Sequence, residues 1–266
     1  MKTATLDRRQ LRLAYDDHGT GRPLVLLHAF PLDRRMWQPQ LGPLSAIARV
    51  LAVDLPGFGD STAGAEPFTI DSAADAVLDF LDAAGVPGRV VLGGLSMGGY
   101  IALAFARRHP DRLAGLLLAD TRSEPDDAAG RAKRDEMIAL AHSGGAAAVI
   151  GQMLPKMLSE QTQRTRPEVA ETVRAIASRQ SAAAIAAALA ALRDRPDATA
   201  ALDRIAVPAL VLIGEHDAIT PPAMAQTLAA KIPKAKLVTV PGAGHLSNLE
   251  NPDAFTAAVR EFLAAR

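Results

Sequence analysis

The sequence predicts an α/β protein: a mainly parallel, eight-stranded sheet flanked by helices, with an all-helical insertion. Three observations predict it. Short apolar runs alternate with segments of helical spacing, the pattern of parallel strands joined by helical crossovers. The strand signal disappears between Thr121 and about Ile205, where four helix-like segments follow one another. A glycine-framed serine, Gly94-Leu-Ser-Met-Gly98, stands between one strand and one helix.

The elements follow in order. Thr3 to Leu6 and Leu11 to Tyr15 read as two opening strands joined by Asp7-Arg8-Arg9. Leu24 to His28 follows the turn residues Gly19-Thr-Gly-Arg-Pro23 and is apolar throughout, as a buried strand is. Val50 to Asp54 is the next strand, stopped by Pro56-Gly57. Ile70 to Ala84 has helical spacing and ends at Gly85. Arg89 to Gly93 is a strand that leads into the serine turn, and a helix then runs to about His109, where Pro110 closes it. Leu113 to Ala119, Ala209 to Ile213 and Lys236 to Val240 complete the strands. Pro252 to Ala265 is a terminal amphipathic helix with Phe255, Val259 and Phe262 on one face.

The insertion reads as helices over Arg131–Ala141, Gly145–Leu158, Pro167–Arg179 and Ser181–Arg193, the last owing its helicity to alanine. Residues 1–120 and 206–266 are therefore expected to form the core and 121–205 a helical cap. Such a cap would lie over the carboxyl ends of the strands, where open α/β sheets bind ligands.

Composition narrows the function. The chain has 266 residues, 49% apolar and 22% charged, enough for a sizeable core. Lys plus Arg and Asp plus Glu are 29 each, so no charge excess argues for nucleic acid or an anionic membrane as partner. There is no cysteine, which removes disulfides, thiolate metal sites and cysteine nucleophiles together. Met1 to Gln10 lacks an apolar stretch of signal-peptide length, and no uncharged apolar run is long enough to cross a bilayer. A cytoplasmic location is expected. Oligomeric state leaves no signature in the sequence.

The chemistry centres on Ser96. A nucleophilic serine needs a strained turn between strand and helix so that its oxygen points into a cleft, and glycines on either side let backbone approach closely. Val90-Val-Leu92 before it and Tyr100 to Ala106 after it supply that context. A phosphate-cradling loop is the other use of such a turn, but no G-x-x-x-x-G-K-[ST] is present.

A serine hydroxyl needs an imidazole to take its proton and a carboxylate to orient that imidazole. Acid and base are expected downstream of this kind of turn, in that order. His245, on the glycine-rich turn Pro241-Gly-Ala-Gly-His245 after the last strand, is the candidate base. His18, His28, His109, His142 and His216 are less well placed. Asp217, after the strand Ala209 to Ile213, is the candidate acid; Glu215 and Asp120, at the end of Leu113 to Ala119, are rivals. Asp120 is alternatively a helix cap or a partner for Arg122. The oxyanion donors are expected to be the backbone N–H groups of Met97 and Phe30, the latter in His28-Ala-Phe-Pro31. The Phe30 ring would line the acyl pocket, or else serve as a core aromatic.

The segments His28-Ala-Phe-Pro31, Asp54-Leu-Pro-Gly-Phe-Gly-Asp-Ser61, Gly93-Gly-Leu-Ser-Met-Gly-Gly99, Gly214-Glu-His-Asp217 and Gly242-Ala-Gly-His245 together resemble the α/β-hydrolase superfamily, over nearly the whole chain. The resemblance is to the small-cap branch of esterases, cofactor-free haloperoxidase/perhydrolases and 3-oxoadipate enol-lactonases. Met36-Trp37 with Pro39-Gln40 is similar to the enol-lactonases and related esterases. Ala29 departs from the glycine of many members. Serine at position 96 argues against the haloalkane dehalogenases and epoxide hydrolases, which resemble this family but carry aspartate there.

The resemblance implies a carboxylesterase that forms an acyl-enzyme on small to medium esters, with no metal and no organic cofactor. A lactonase or perhydrolase on the same triad is the alternative within the class. A ligand receptor on the same fold is the alternative outside it. Ile150, Met153, Leu154 and Met157 are candidates to line the substrate pocket, or to form a helix packing face.

Overall fold

Alternate residues of each central strand serve opposite faces of the sheet, and that alternation positions everything else. In β3 (Pro23–Leu27), Val25 and Leu27 pack into one core cluster while Leu24 and Leu26 pack into the other. In β4 (Arg49–Val53), Leu51 and Val53 divide from Val50 and Ala52 in the same way. Both faces are buried, so these strands read as unbroken apolar runs. The computed structural model describes residues 1–265.

The remaining strands are β1 (Lys2–Leu6), β2 (Leu11–His18), β5 (Val90–Leu95), β6 (Leu113–Ala119), β7 (Ala209–Gly214) and β8 (Ala235–Val240). They form one eight-stranded sheet in the order β1-β2-β4-β3-β5-β6-β7-β8. The β1–β2 and β2–β4 pairs are antiparallel and the rest are parallel. The expected fold is therefore the observed one.

The helices are α1 (Gln38–Ser45), α2 (Ile70–Ala83), α3 (Met97–Arg108), α4 (Ala128–Met157), α5 (Glu160–Thr165), α6 (Pro167–Ala177), α7 (Ala182–Arg193), α8 (Pro222–Lys231), α9 (Ser247–Glu250) and α10 (Pro252–Ala264). Buried residues of α2, α3 and α8 share one core cluster, and those of α1 and α10 the other, so the sheet lies between two helical layers. Phe255 and Val259 of α10 are buried as their spacing requires, while Phe262 is only partly covered.

Helices α4 to α7 form the insertion between β6 and β7. The two helices expected over 131–141 and 145–158 are both present within α4, which is two helical pieces meeting at a kink at Gly145, where φ 64° and ψ −163° are not helical. Among the described residues α4 is the one single helix long and apolar enough to cross a membrane. It carries Arg131, Lys133, Arg134, Asp135 and Glu136 in its first turns and buries Met137, Ala141, Val149, Ile150, Leu154 and Met157 within the protein.

Asp126, just before α4, is 3% exposed and gathers three arginines. It pairs with Arg122, with Arg134 Nε at 3.0 Å and with Arg195 Nη2 at 2.9 Å. Burial works against this carboxylate, but the bond from Arg195 and the charges of Arg134 and Arg195 outweigh it and pull its pKa down to about 2. Arg122 leads toward α4 and Arg195 follows α7, so one buried carboxylate fastens the start of the insertion to its end.

Candidate active site

Strand β5 ends at Leu95, and α3 begins at Met97. Ser96 alone makes the turn, with φ 53° and ψ −110°, a left-handed backbone that costs a non-glycine residue about 1–3 kcal/mol. Its backbone is held on both sides: the Ser96 N–H donates to the Ala119 carbonyl at 2.9 Å, and Thr121 Oγ1 donates to the Ser96 carbonyl at 2.9 Å. The framing glycines are demanded by contact. A Cβ on Gly94 would stand 2.1 Å from the Gly98 carbonyl carbon, and one on Gly98 would stand 2.3 Å from the Leu27 carbonyl oxygen.

His245 follows β8 and Asp217 follows β7, so both rise at the carboxyl edge of the sheet, as Ser96 does after β5. His245 Nε2 lies 2.9 Å from Ser96 Oγ, and its Nδ1 lies 2.8 Å from Asp217 Oδ2. An ionised carboxylate only accepts, so Nδ1 carries the proton and Nε2 presents its lone pair to the Ser96 hydroxyl. Asp217 is fixed in turn. Its Oδ1 accepts the N–H groups of Ile219 and Thr220 at 2.8 and 2.9 Å, and its Oδ2 accepts the Thr220 hydroxyl at 2.6 Å. Burial works against its charge, but His245 and the bonds from Thr220 outweigh burial and hold the carboxyl below its ordinary pKa.

The rivals are elsewhere. Glu215 is exposed and accepts the Gly242 N–H at 2.9 Å. Asp120 is fully buried, but its partners are the Gly214 N–H at 2.8 Å and the Ser247 hydroxyl. It neither caps a helix nor pairs with Arg122, which bonds Asp126 instead. His109 pairs with Asp75 at 2.7 Å, and His18 and His216 are exposed.

The loop after β3 carries Phe30. Fully buried His28 organises it: Nδ1–H donates to the Ala29 carbonyl at 3.0 Å, and Nε2 accepts the Leu55 N–H at 3.0 Å. That is the neutral imidazole, and burial lowers the His28 pKa. The Phe30–Pro31 peptide bond is cis. Met97 is the first residue of α3, so its N–H has no acceptor one turn back. The Phe30 ring is 4% exposed and packs in the core cluster. Ile150, Leu154 and Met157 are likewise buried as a packing face, and Met153 is partly buried against both clusters.

Three groups escape a reading of the sequence. Glu250 accepts the N–H groups of Gly244 and Leu246 on Oε1, on both sides of His245. The His245 N–H itself donates to the Met157 carbonyl at the end of α4, at 3.0 Å. Gln40 Nε2 donates to the Asn248 carbonyl, and Asn248 Nδ2 to the Met36 carbonyl, both at 2.9 Å, which joins the Met36–Gln40 segment to the base side of the site. The pattern Ser247-Asn-Leu-Glu250 fits a capping box, the one local signal for Glu250. Among the described residues no group of three or more His, Cys, Asp or Glu is arranged to hold a metal ion.

A largely parallel sheet with a strained serine after β5 and an aspartate and a histidine after β7 and β8 defines a hydrolase scaffold. The family model for the alpha/beta hydrolase fold matches residues 22–252, and the chain belongs to that family. A pimeloyl-[acyl-carrier protein] methyl ester esterase of Neisseria meningitidis is 32% identical, over 91% of this chain and 93% of that protein. Among solved structures, a thermophilic esterase from Thermogutta terrifontis superposes with a TM-score of 0.94 at 39% identity, covering 99% of this chain and 98% of that one. An enol-lactonase from Burkholderia xenovorans superposes with a TM-score of 0.91 at 31% identity, covering 99% of this chain and all of the other.

Proposed function

We propose that this chain is a carboxylic ester hydrolase that works through an acyl-enzyme on Ser96. The observation that carries the reading is the unbroken line of bonds from Asp217 to His245 to Ser96, 2.8 and 2.9 Å long. In the first step Ser96 Oγ attacks the ester carbonyl while His245 Nε2 takes its proton. Asp217 holds the Nδ1–H tautomer and stabilises the imidazolium that forms. The tetrahedral oxygen is received by the N–H groups of Phe30 and Met97, worth about 3–4 kcal/mol per donor where such donors have been removed. His245 then gives its proton to the leaving alcohol. A water, activated by the same imidazole, repeats the sequence in reverse and frees the acid. The scheme uses three side chains, two backbone N–H groups and one water.

Residues 1–120 and 206–266 act in this reading as the catalytic core, and residues 121–205 as a cap that selects the acyl group. A second reading is favoured by the enol-lactonase match. A lactone differs only in that its leaving alcohol stays tethered to the acyl group, so the same set of residues serves. The esterase reading takes precedence because two of the three similar proteins are esterases.

The test is a panel of p-nitrophenyl esters of rising acyl length, methyl esters and five-membered lactones, with a stopped-flow search for a burst. The expected result is ester turnover that Ser96→Ala lowers by at least about 1,000-fold. Turnover confined to lactones would select the second reading. Folded protein with no turnover and no phosphonate labelling of Ser96 would overturn both.

A further inference from the structure

The end of β6 bonds the Ser96 turn directly and also bonds the two loops that carry Asp217 and His245. The Ala119 carbonyl and the Thr121 hydroxyl bond the two sides of the Ser96 backbone. Between them, Asp120 reaches the other way. Its Oδ1 accepts the N–H of Gly214, three residues before Asp217, at 2.8 Å. Its Oδ2 is hydrogen-bonded to the hydroxyl of Ser247, two residues after His245. The two loops are in direct contact there: a Cβ on Gly214 would lie 1.9 Å from the Gly244 carbonyl oxygen.

Asp120 is unusual in two further ways. Its φ is 45°, left-handed, in a residue that is not glycine. Its side chain is completely buried, yet among the described residues no cation is paired with it. Buried carboxylates without a cation are costly, and Asp217 and Glu250 add negative charge nearby.

We propose that Asp120 is a positioning residue that ties the loop of the acid to the loop of the base and fixes both against the Ser96 turn. This rests on reading Ser96, His245 and Asp217 as the catalytic set. Burial raises the Asp120 carboxyl well above its ordinary range, and the charge of Asp217 pushes the same way; the bonds from Ser247 and Gly214 oppose them and do not prevail. Asp120 Oδ2 accepts the Ser247 hydroxyl while its Oδ1 accepts the Gly214 N–H. The upward shift favours the uncharged form, which fixes geometry without competing with Asp217 for the imidazolium. The titratable groups facing it are Asp217, Glu250 and, through Asp217, His245.

The test compares Asp120→Ala, Asp120→Asn and Ser247→Ala in the full chain. Asparagine keeps both partners without a charge: its Oδ1 accepts from Gly214, and its Nδ2 donates to a Ser247 hydroxyl rotated to accept. Asp120→Ala is expected to lower kcat per phosphonate-titrated site by about tenfold to a hundredfold, with KM within about threefold. Asp120→Asn is expected to restore kcat to within about threefold and to leave the acid limb of the pH profile in place. Ser247→Ala should show a smaller kcat loss that is not additive with Asp120→Ala.

A second readout needs no substrate: the low-field proton resonance of His245 Nδ1 should persist in Asp120→Asn and be lost or broadened in Asp120→Ala. It judges the proposal even if esters are the wrong substrate. An unchanged kcat and resonance in folded Asp120→Ala would overturn it. So would a tenfold loss in Asp120→Asn with the acid limb moved to lower pH, the mark of a working charge. If Asp120→Ala does not fold, Asp120→Asn and Ser247→Ala decide by the same criteria.

Discussion

Ser159 and Glu250, 91 residues apart in the chain, are joined by a 2.8 Å bond from the Ser159 N–H to Oε2 of the carboxylate. The other oxygen of Glu250 holds the N–H groups on either side of His245. The His245 loop is therefore anchored to the junction between α4 and α5. Glu250→Gln turns an amide nitrogen toward one of these N–H donors and leaves that donor unsatisfied. The expected cost is about 1–3 kcal/mol in urea unfolding and about a tenfold fall in kcat. An unchanged kcat in the folded variant would show that the anchoring is immaterial to turnover.

Asp217→Asn should lower kcat by about 10,000-fold while the fold survives, because asparagine presents the wrong hydrogen-bonding pattern to Nδ1. The pH effect has a definite sign. The folded pKa of Asp217 lies below its unfolded value, so its stabilisation is complete above the unfolded value of about 4 and fades as pH falls through the folded value. The stability gap between wild type and Asp217→Asn should narrow over that acid range in denaturant titrations.

Asp126→Asn leaves Arg195, 2% exposed, without its carboxylate. Removing one partner of a buried pair costs about 3–5 kcal/mol. Asp126 is also depressed, to about 2, so its stabilisation is present above pH of about 4 and is lost as pH falls toward 2. Thermal unfolding at neutral pH should separate variant from wild type clearly, and unfolding near pH 2 should bring them together.

Gly98→Ala sets two effects of opposite sign against each other. Alanine is favoured over glycine inside a helix by about 1 kcal/mol. The added methyl, however, would meet the Leu27 carbonyl oxygen at 2.3 Å and the His28 carbonyl oxygen at 3.0 Å. These are backbone atoms of the central strand and of the loop that carries Phe30, and they cannot swing aside. Overpacking of this kind costs about 1–3 kcal/mol, so the variant should be less stable and slower than wild type. A raised Tm with full activity would mean that β3 yields.

How much of this was legible in the sequence depends on how local the cause is. Strand β6 is read residue for residue, Leu113 to Ala119, because burial on both faces makes an unbroken apolar run. Helix α8 is not read: only Ala225 and Leu228 are buried, too few to mark a period. The start of α4 is read three residues late, because Asp127 caps it ahead of its apolar pattern. At the site, Ser96, Asp217 and His245 each follow a strand within a short motif, and the structure brings their side chains together. Asp120 was weighed as a rival acid and Glu250 was not singled out at all. The partners of Asp120 lie 94 and 127 residues away, and Glu250 joins its near neighbours Gly244 and Leu246 to Ser159, 91 residues away; no local pattern records such long bonds.

The insertion leaves the sheet at Ala119 and returns at Ala209, on strands that are immediate neighbours, with Leu116 facing Ala209. The strands are parallel, so these points lie at opposite ends of their pairing, and it is Asp126, bonded to Arg122 before α4 and to Arg195 after α7, that clasps the two ends of the helical segment together. A segment attached in this way is a cassette. Lengthening it adds loop-closure entropy only as the logarithm of its length and shifts no strand register. Descent can thus rewrite the insertion while the sheet and the Ser96, Asp217 and His245 loops are inherited intact. A laboratory graft of α4–α7 from one relative to another has the same seam to cut along, provided that the Ser159–Glu250 and Met157–His245 bonds are carried with it.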